Sequence, residues 1–352
     1  MTISIRGLGG FRSPFAPTVL DSKGLSHFRP LRCALTSGSV IPVVDAEAVL
    51  AAVPPADAIE RTRVAFERHA RGQWAMPAKV YLDSPPAGDF RAMPARGDGF
   101  ALLKWVTSFP GNPERGLPVV TGALLLSSAE TGELLAIMDC AAVTSLRTGA
   151  AAAVSARALA SEEARSVGVI GCGVNGAWAA RCLAVAGYGP GLCADARSDA
   201  AASLAAELGW RAAARQETAR QDVVVTMTPG NEPVLLAEDL SPGQHLAVLG
   251  ADAHGKSEVE PAAFARCRLF CDDWEQASTG GELAAPVEAG ALGREDVTQL
   301  GEVIAGTADG RRSPEEITLF DSTGLAIQDL AIAAAVYEAW RDGRIEAPEV
   351  SF

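Results

Sequence analysis

The chain has 352 residues and a formal charge of −13 at pH 7. That length suits two cores, since a single core stops growing at about 250–300 residues, and the acidic balance excludes a nucleic-acid surface. The seven cysteines, Cys33, Cys140, Cys172, Cys182, Cys193, Cys267 and Cys271, form an odd set with no CxxC pair; this indicates neither a disulfide framework nor a zinc knuckle, and a reducing, cytoplasmic setting is expected. No apolar run reaches the roughly 18 residues of a membrane span, so the expected partners are small molecules and further copies of the chain.

Residues 1–39 are rich in Gly, Ser and Pro and locally basic; they read as a poorly ordered extension, or as an artefact of start-site choice with translation beginning near Val40. Asp45 is placed to cap a short helix ended by Pro54-Pro55. Ile59, Thr62, Phe66 and Ala70 then recur at helical spacing through residue 71. The period next changes to that of strands at 78–82, 90–95, 100–108, 118–128 and 134–140. Their short, turn-rich connections imply antiparallel pairing, because parallel neighbours need a crossover of a dozen residues or more.

From about residue 143 an alanine-rich helix leads into alternating strands and helices, with apolar strands at 166–170, 191–195, 222–228, 245–250 and 268–273. This alternation implies an α/β fold with a doubly wound parallel sheet. The last helix, 324–340, is apolar on more than one face and is expected to return to the N-terminal part.

Gly171-x-Gly173-x-x-Gly176 follows one predicted strand and opens a helix. The first glycine permits a tight turn, the second lets a pyrophosphate approach the backbone, and the third lets helix and strand pack closely. Glycines alone serve any buried turn. Asp195, 19 positions after Gly176 at the end of the next strand, is what tilts the reading toward a dinucleotide, as the acceptor for a ribose 2′-hydroxyl. Arg197 can meet a 2′-phosphate instead, so NAD is favoured and NADP stays open. Val174 and Asn175 within the turn, and Thr228 closing the strand 222–228, are counted with the cofactor contacts.

Several charges interrupt apolar strands: Lys79 in "MPAKVYL", Arg91 in "DFRAMPA", Lys104 in "FALLKWV", and Arg147 in "VTSLRTGAA". Buried cations are costly without anions, so their convergence points to a carboxylate pocket; the competing reading is long stems snorkelling from a half-wet sheet. Asp252, beyond the strand 245–250, falls where ligands bind in such sheets and can hold or deprotonate a substrate amine. It or Lys256 can equally shape the turn. Asp321, Ser322 and Thr323 are placed to cap the last helix, whose start, Ser322 included, can also face the cofactor. The four histidines, His27, His69, His245 and His254, lack metal-ligand spacing, and no metal is assigned.

The stretches "MPAKVYL", "GDFRAMPA", "LLKWVTSFPGNPERGLP", "AIMDCAAVTSLRTGAAA", "VIGCGVNG", "GADAHGKSE", "DDWEQA", "LGEVIAG" and "EITLFDSTGLAIQD" resemble, in order, the ornithine cyclodeaminase/mu-crystallin family over about residues 41–352, and within it the archaeal-type alanine dehydrogenase branch. The resemblance implies a Rossmann domain (143–318) inserted between two parts (40–142 and 319–352) of a mainly antiparallel substrate and dimerisation domain, assembled as a homodimer. It implies that Lys79 and Arg91 line the substrate pocket, Lys104 and Arg147 bind the substrate carboxylate, and Asp252 does acid/base work, with Lys79 as the other candidate. Thr148 is expected beside the cofactor-facing helix start. Val119 stands where relatives carry threonine, leaving a polar contact to Thr121 or to no group. The implied activity is NAD-dependent oxidation of a small amino acid, first of all L-alanine to pyruvate and ammonia. Ornithine cyclodeamination and ketimine reduction are the alternatives, and a non-catalytic NAD(P)H-binding protein stands behind them.

Overall fold

The computed structural model describes residues 40–229, 232–251, 253 and 255–351. The N-terminal extension, Asp252 and His254 lie outside the described residues.

The chain opens with strand β1 (Val40–Val44) and helices α1 (Ala46–Ala52) and α2 (Pro55–Ala70). Asp45 caps α1 by accepting from the Ala48 amide at 2.9 Å, and Pro55 starts α2 where a missing N–H costs nothing. Strands β2 (Val80–Ser84), β3 (Gly88–Gly97), β4 (Phe100–Ser108), β5 (Val120–Ser128) and β6 (Leu134–Asp139) follow, each antiparallel to the next. The meander is longer than expected. β1 adds to it in parallel beside β6, and the C-terminal β15 (Glu349–Ser351) pairs antiparallel with β1, making a seven-stranded sheet.

In register, Met93, Lys104, Leu124 and Met138 form one row across β3 to β6, all buried. This inner face packs against helix α3 (Cys140–Leu159) and the last helix, with α2 stacked on those two helices. Lys104 is thus a lone cation in an apolar row. The outer face carries exposed Val80, Leu82, Leu103 and Trp105.

Helix α3 starts at Cys140, three residues earlier than its alanine run suggests, because the Asp139 carboxylate accepts from the Ala142 amide at 2.7 Å. After it come β7 (Val167–Ile170), α4 (Val174–Val185), β8 (Leu192–Ala194), α5 (Ser198–Leu208), β9 (Arg211–Ala212), α6 (Arg215–Thr218), β10 (Val223–Thr226) and β11 (His245–Val248). Then follow α7 (Pro261–Phe264), β12 (Cys267–Cys271), α8 (Trp274–Gly280), α9 (Ala284–Glu288), β13 (Val297–Gln299), α10 (Leu300–Ile304), β14 (Ile317–Asp321) and α11 (Ala326–Arg341). The second sheet is wholly parallel, in the order β13-β12-β14-β11-β10-β7-β8-β9. β7, β10 and β11 are buried along their whole length, as continuous apolar runs require.

Helix α3 touches both sheets. Its Thr144 meets Lys104 of β4, while its Ser155 meets His245 of β11 at 3.1 Å. Gly149 is where α3 crosses α4, since a Cβ there would lie 2.5 Å from the Trp178 carbonyl. Helix α11 leaves the parallel sheet and packs on α2, β3 and β4. No helix among the described residues is long and apolar enough to cross a membrane.

Candidate active site

The carboxyl ends of β7, β10, β11 and β14 line one edge of the parallel sheet, and the polar groups of interest gather there. At the end of β7 the glycine turn has the geometry its spacing predicts. Gly171 has φ of 98°, and a Cβ on it would lie 2.4 Å from the Met227 carbonyl; one on Gly176 would lie 1.8 Å from the Gly171 carbonyl. Gly173, by contrast, faces open space. It is the N-cap of α4 and has no side-chain cap, so the first amides of a twelve-residue helix, through Val174 and Asn175, are left for an anion. A groove of ≈ 400 Å³ runs over this turn along Cys172, Gly173, Val174, Arg197 and Ala200. Asp195 is anchored beside it, accepting from the amides of Cys172 at 2.6 Å and Arg197 at 2.8 Å. Arg197 itself is 70% exposed and 3.8 Å from that carboxylate. The cradle fits a dinucleotide, and the fixed carboxylate favours a free 2′-hydroxyl over a 2′-phosphate.

The four sequence-predicted cations come from β3, β4, α3 and the segment before β2, and three of them meet the β14–α11 connection or the first turn of α11. Lys104, 2% exposed, places Nζ 2.7 Å from Thr144 Oγ1 and 3.0 Å from Asp329 Oδ1. Arg147 lies 3.3 Å from the same Oδ1 and donates to Gln328 Oε1 at 3.3 Å. Two cations share one buried carboxylate, which leaves one net positive charge, and Asp329 Oδ2 has no hydrogen-bond partner. Lys79 donates to the Thr323 carbonyl at 2.6 Å. Arg91 is on the inner face, one register step from Lys104, paired with Asp89 at 2.6 Å and lying over the Tyr81 ring.

The expected caps of the last helix are corrected. Its N-cap is Leu325, whose amide is satisfied by Gln328 Oε1 at 3.1 Å. Ser322 and Thr323 instead donate to Asp272, and Asp321 Oδ2 accepts from the Leu283 amide at 3.1 Å. Thr148 is buried in the third turn of α3. Thr121 shares a hydrogen bond with Thr107 across the outer face, so it does not replace the threonine missing at Val119.

Residue-by-residue reading missed the anions. Asp329 was detectable as a carboxylate inside the apolar run "IQDLAIAAAV", since a charge in a buried helix face needs a partner. Asp272, at the end of β12, had no comparable signal beside Asp273. Glu258 is fully buried and accepts from Thr226 Oγ1, the Thr228 amide and the Gly250 amide at 2.6–2.8 Å. It thus ties together the ends of β10 and β11 and places Thr228. Burial raises its carboxyl above the usual range despite these bonds. Glu282 next to it is pushed up to about 7 by burial, and burial, with Asp272 and Glu282 nearby, holds Asp321 well above its ordinary value.

Comparison with known proteins identifies the family. The model of the ornithine cyclodeaminase/mu-crystallin family matches residues 42–344. An alanine dehydrogenase of Archaeoglobus fulgidus is 45% identical over 289 residues, 80% of this chain and 89% of the relative. The solved structure of an archaeal alanine dehydrogenase dimer with bound NAD has a TM-score of 0.85 and 41% identity, covering 89% of this chain and all of that one. Iminosuccinate reductase of Paracoccus denitrificans, solved with NAD+, has a TM-score of 0.81 and 30% identity over 89% of this chain and all of that one. The family match across residues 42–344, the 45% identity to the Archaeoglobus fulgidus relative and the shared mixed α/β fold place this chain in the ornithine cyclodeaminase/mu-crystallin family.

Proposed function

We propose that this chain is an NAD-dependent amino acid dehydrogenase that oxidises L-alanine reversibly to pyruvate and ammonia. The observation that carries the reading is the pair Lys104 and Arg147 on one buried carboxylate. Its unneutralised charge matches a substrate carboxylate, and it sits at the sheet edge that bears the glycine turn. From β7 to β14 that edge spans three strand spacings, about 14 Å. The similarity to alanine dehydrogenase supports the same choice.

Gly171, Gly173, Val174, Asn175 and Gly176 hold the cofactor's pyrophosphate and Asp195 its ribose, with Thr148, Thr228 and Ser322 nearer the reacting end. Bound NAD supplies the acceptor for the hydride from the α-carbon. Lys104 and Arg147 grip the substrate carboxylate, which fixes the direction of the α-hydrogen, so catalysis is chiefly orientation. Lys79 holds or takes a proton at the substrate amine, and Asp252 shares that work. Arg91 lines the same pocket from β3.

The functional unit is a homodimer, assembled through the outer face of the seven-stranded sheet. There Val80, Leu82 and Leu103 are exposed beside Trp105, which stacks on Phe90 at 5.6 Å; a continuous apolar patch of this kind marks an interface. The described cysteines are free thiols, which supports a reducing, cytoplasmic setting.

The test is NADH formation with L-alanine, followed by proline formation from L-ornithine with catalytic NAD. NADH and pyruvate with L-alanine support the dehydrogenase. Proline without net NADH would replace it by a cyclodeaminase, and no turnover of either at saturating NAD would favour a binding protein.

A further inference from the structure

Asp272 directly follows β12 at the carboxyl edge of the parallel sheet and is 3% exposed. Its two oxygens collect hydrogen bonds from one short segment: the Ser322 hydroxyl at 3.1 Å, the Thr323 hydroxyl at 3.2 Å and the Gly324 amide at 2.8 Å, with the Asp273 amide at 2.8 Å as a further donor. Burial raises this carboxyl above its ordinary value, and the donors together with the facing Lys79 act against that, favouring the ionised acceptor. The middle residue of the segment turns its carbonyl the other way, to receive Lys79 Nζ at 2.6 Å. Gly324, at φ of 78°, lets Arg147 press against the segment, where a Cβ would meet Nη1 at 2.4 Å. The segment is therefore clamped between one carboxylate and two of the cations assigned to the substrate.

We propose that Asp272 is a positioning residue: by holding residues 322–324 on its carboxylate it fixes the Thr323 carbonyl against Lys79, and so sets where the amine that serves the substrate points. The proposal rests on the role given to Lys79 above and extends it to a residue that does not touch the substrate.

The charges around this carboxylate give it a second effect. Lys79 faces it as the compensating cation, Asp273 follows it on the same strand end, Asp321 faces it from β14, and Arg147 lies across Gly324 from α3. A carboxylate close to an ammonium favours the charged amine. Removing the negative charge weakens the hold of the amine on its proton and loosens the carbonyl it donates to.

The test reads Lys79 directly. The protein without substrate is labelled with acetic anhydride over a range of pH, and the Lys79 peptide is followed by mass spectrometry. With Asp272→Asn the labelling rate of Lys79 at pH 8 is expected to rise about fivefold or more relative to the unaltered chain, and the acidic limb of the kcat/KM profile for L-alanine to move to lower pH. A rise under about twofold in a variant with native circular dichroism would overturn the proposal. Should Asp272→Asn fail to fold, the double variant Ser322→Ala with Thr323→Val strips two donors from the carboxylate and leaves the charge in place. Its Lys79 is then expected to label at least about twofold faster because the segment loosens, and an unchanged rate would overturn the proposal. Lys79→Met separates the two claims: wild-type turnover in that variant would sink the role of Lys79 in the reaction, while the labelling result would still decide whether Asp272 positions it.

Discussion

Lys104→Met removes a charge and keeps nearly the same length and shape of side chain. In the folded chain Lys104 gives one hydrogen bond to Thr144 and one to Asp329, and Arg147 continues to face Asp329 at 3.3 Å after the change. The pocket goes from one net positive charge to none. A hydrogen bond to a charged group is worth about 1.5–3 kcal/mol, so its loss at the substrate carboxylate lowers kcat/KM for L-alanine about 10- to 150-fold, at 1.4 kcal/mol per factor of ten. Half of a buried ion pair also goes, which costs up to about 3–5 kcal/mol of stability. The assay is therefore initial-rate kinetics at saturating NAD, below the onset of unfolding seen by circular dichroism, with NAD affinity measured separately by fluorescence. NAD affinity should stay within about twofold, because the glycine turn is built from other residues. A folded Lys104→Met variant with unchanged kcat and KM would refute the reasoning and place the substrate carboxylate elsewhere.

Gly176→Ala puts a Cβ 1.8 Å from the Gly171 carbonyl, forces α4 away from β7, and is expected to weaken NAD binding about 100-fold or more, measured by fluorescence titration. Asp195→Ser removes the fixed carboxylate and leaves Arg197, so the ratio of kcat/KM for NAD over NADP is expected to fall at least about tenfold. Stability responds to pH in two opposite ways. His245, held neutral between Ser155 and Thr318, is pushed down to about 3 by burial, below its unfolded value near 6.5. Its contribution is present above pH 6.5 and is lost as pH falls toward 3, by up to about 5 kcal/mol, and urea titrations of His245→Gln should show a flatter acid limb. Glu282, raised to about 7, works in the other direction: its contribution is present below about 4.5 and is lost as pH rises through 7, so Glu282→Gln is expected to gain about 3 kcal/mol at pH 8.

The elements that were legible in the sequence are those whose patterns are local. Antiparallel β2 to β6 follow from turn residues between short apolar runs, and β7, β8, β10, β11 and β12 from short apolar runs alternating with helical segments. The glycine turn and Asp195 were legible for the same reason, as fixed spacings on one strand–helix unit. β1 and β15 were not, because "VIPVV" carries a proline and "EVS" is polar and exposed. Their pairing joins chain positions some three hundred residues apart, and only tertiary context selects it. The cations of the pocket could be singled out as charges in strands, yet which of them meet depends on α3 and α11 crossing the inner face of the sheet. Asp329 follows from that crossing, and Asp272 from the adjacency of β12 and β14. Neither spacing nor composition reports which strand ends become neighbours. The caps expected at Asp321 to Thr323 failed for a related reason: those side chains had stronger partners across the sheet edge than along their own helix.

The central claim is that the α-hydrogen of an amino acid held by Lys104 and Arg147 passes to the cofactor lying on the glycine turn. The direct measurement is incubation with L-[2-²H]alanine and NAD, with mass spectrometry of the reduced nucleotide and of pyruvate. One deuterium in each reduced nicotinamide, matched by pyruvate in equal amount and lost in Lys104→Met, is the predicted result. Reduced nucleotide without deuterium, or no reduced nucleotide from a folded, NAD-binding protein, would contradict the account.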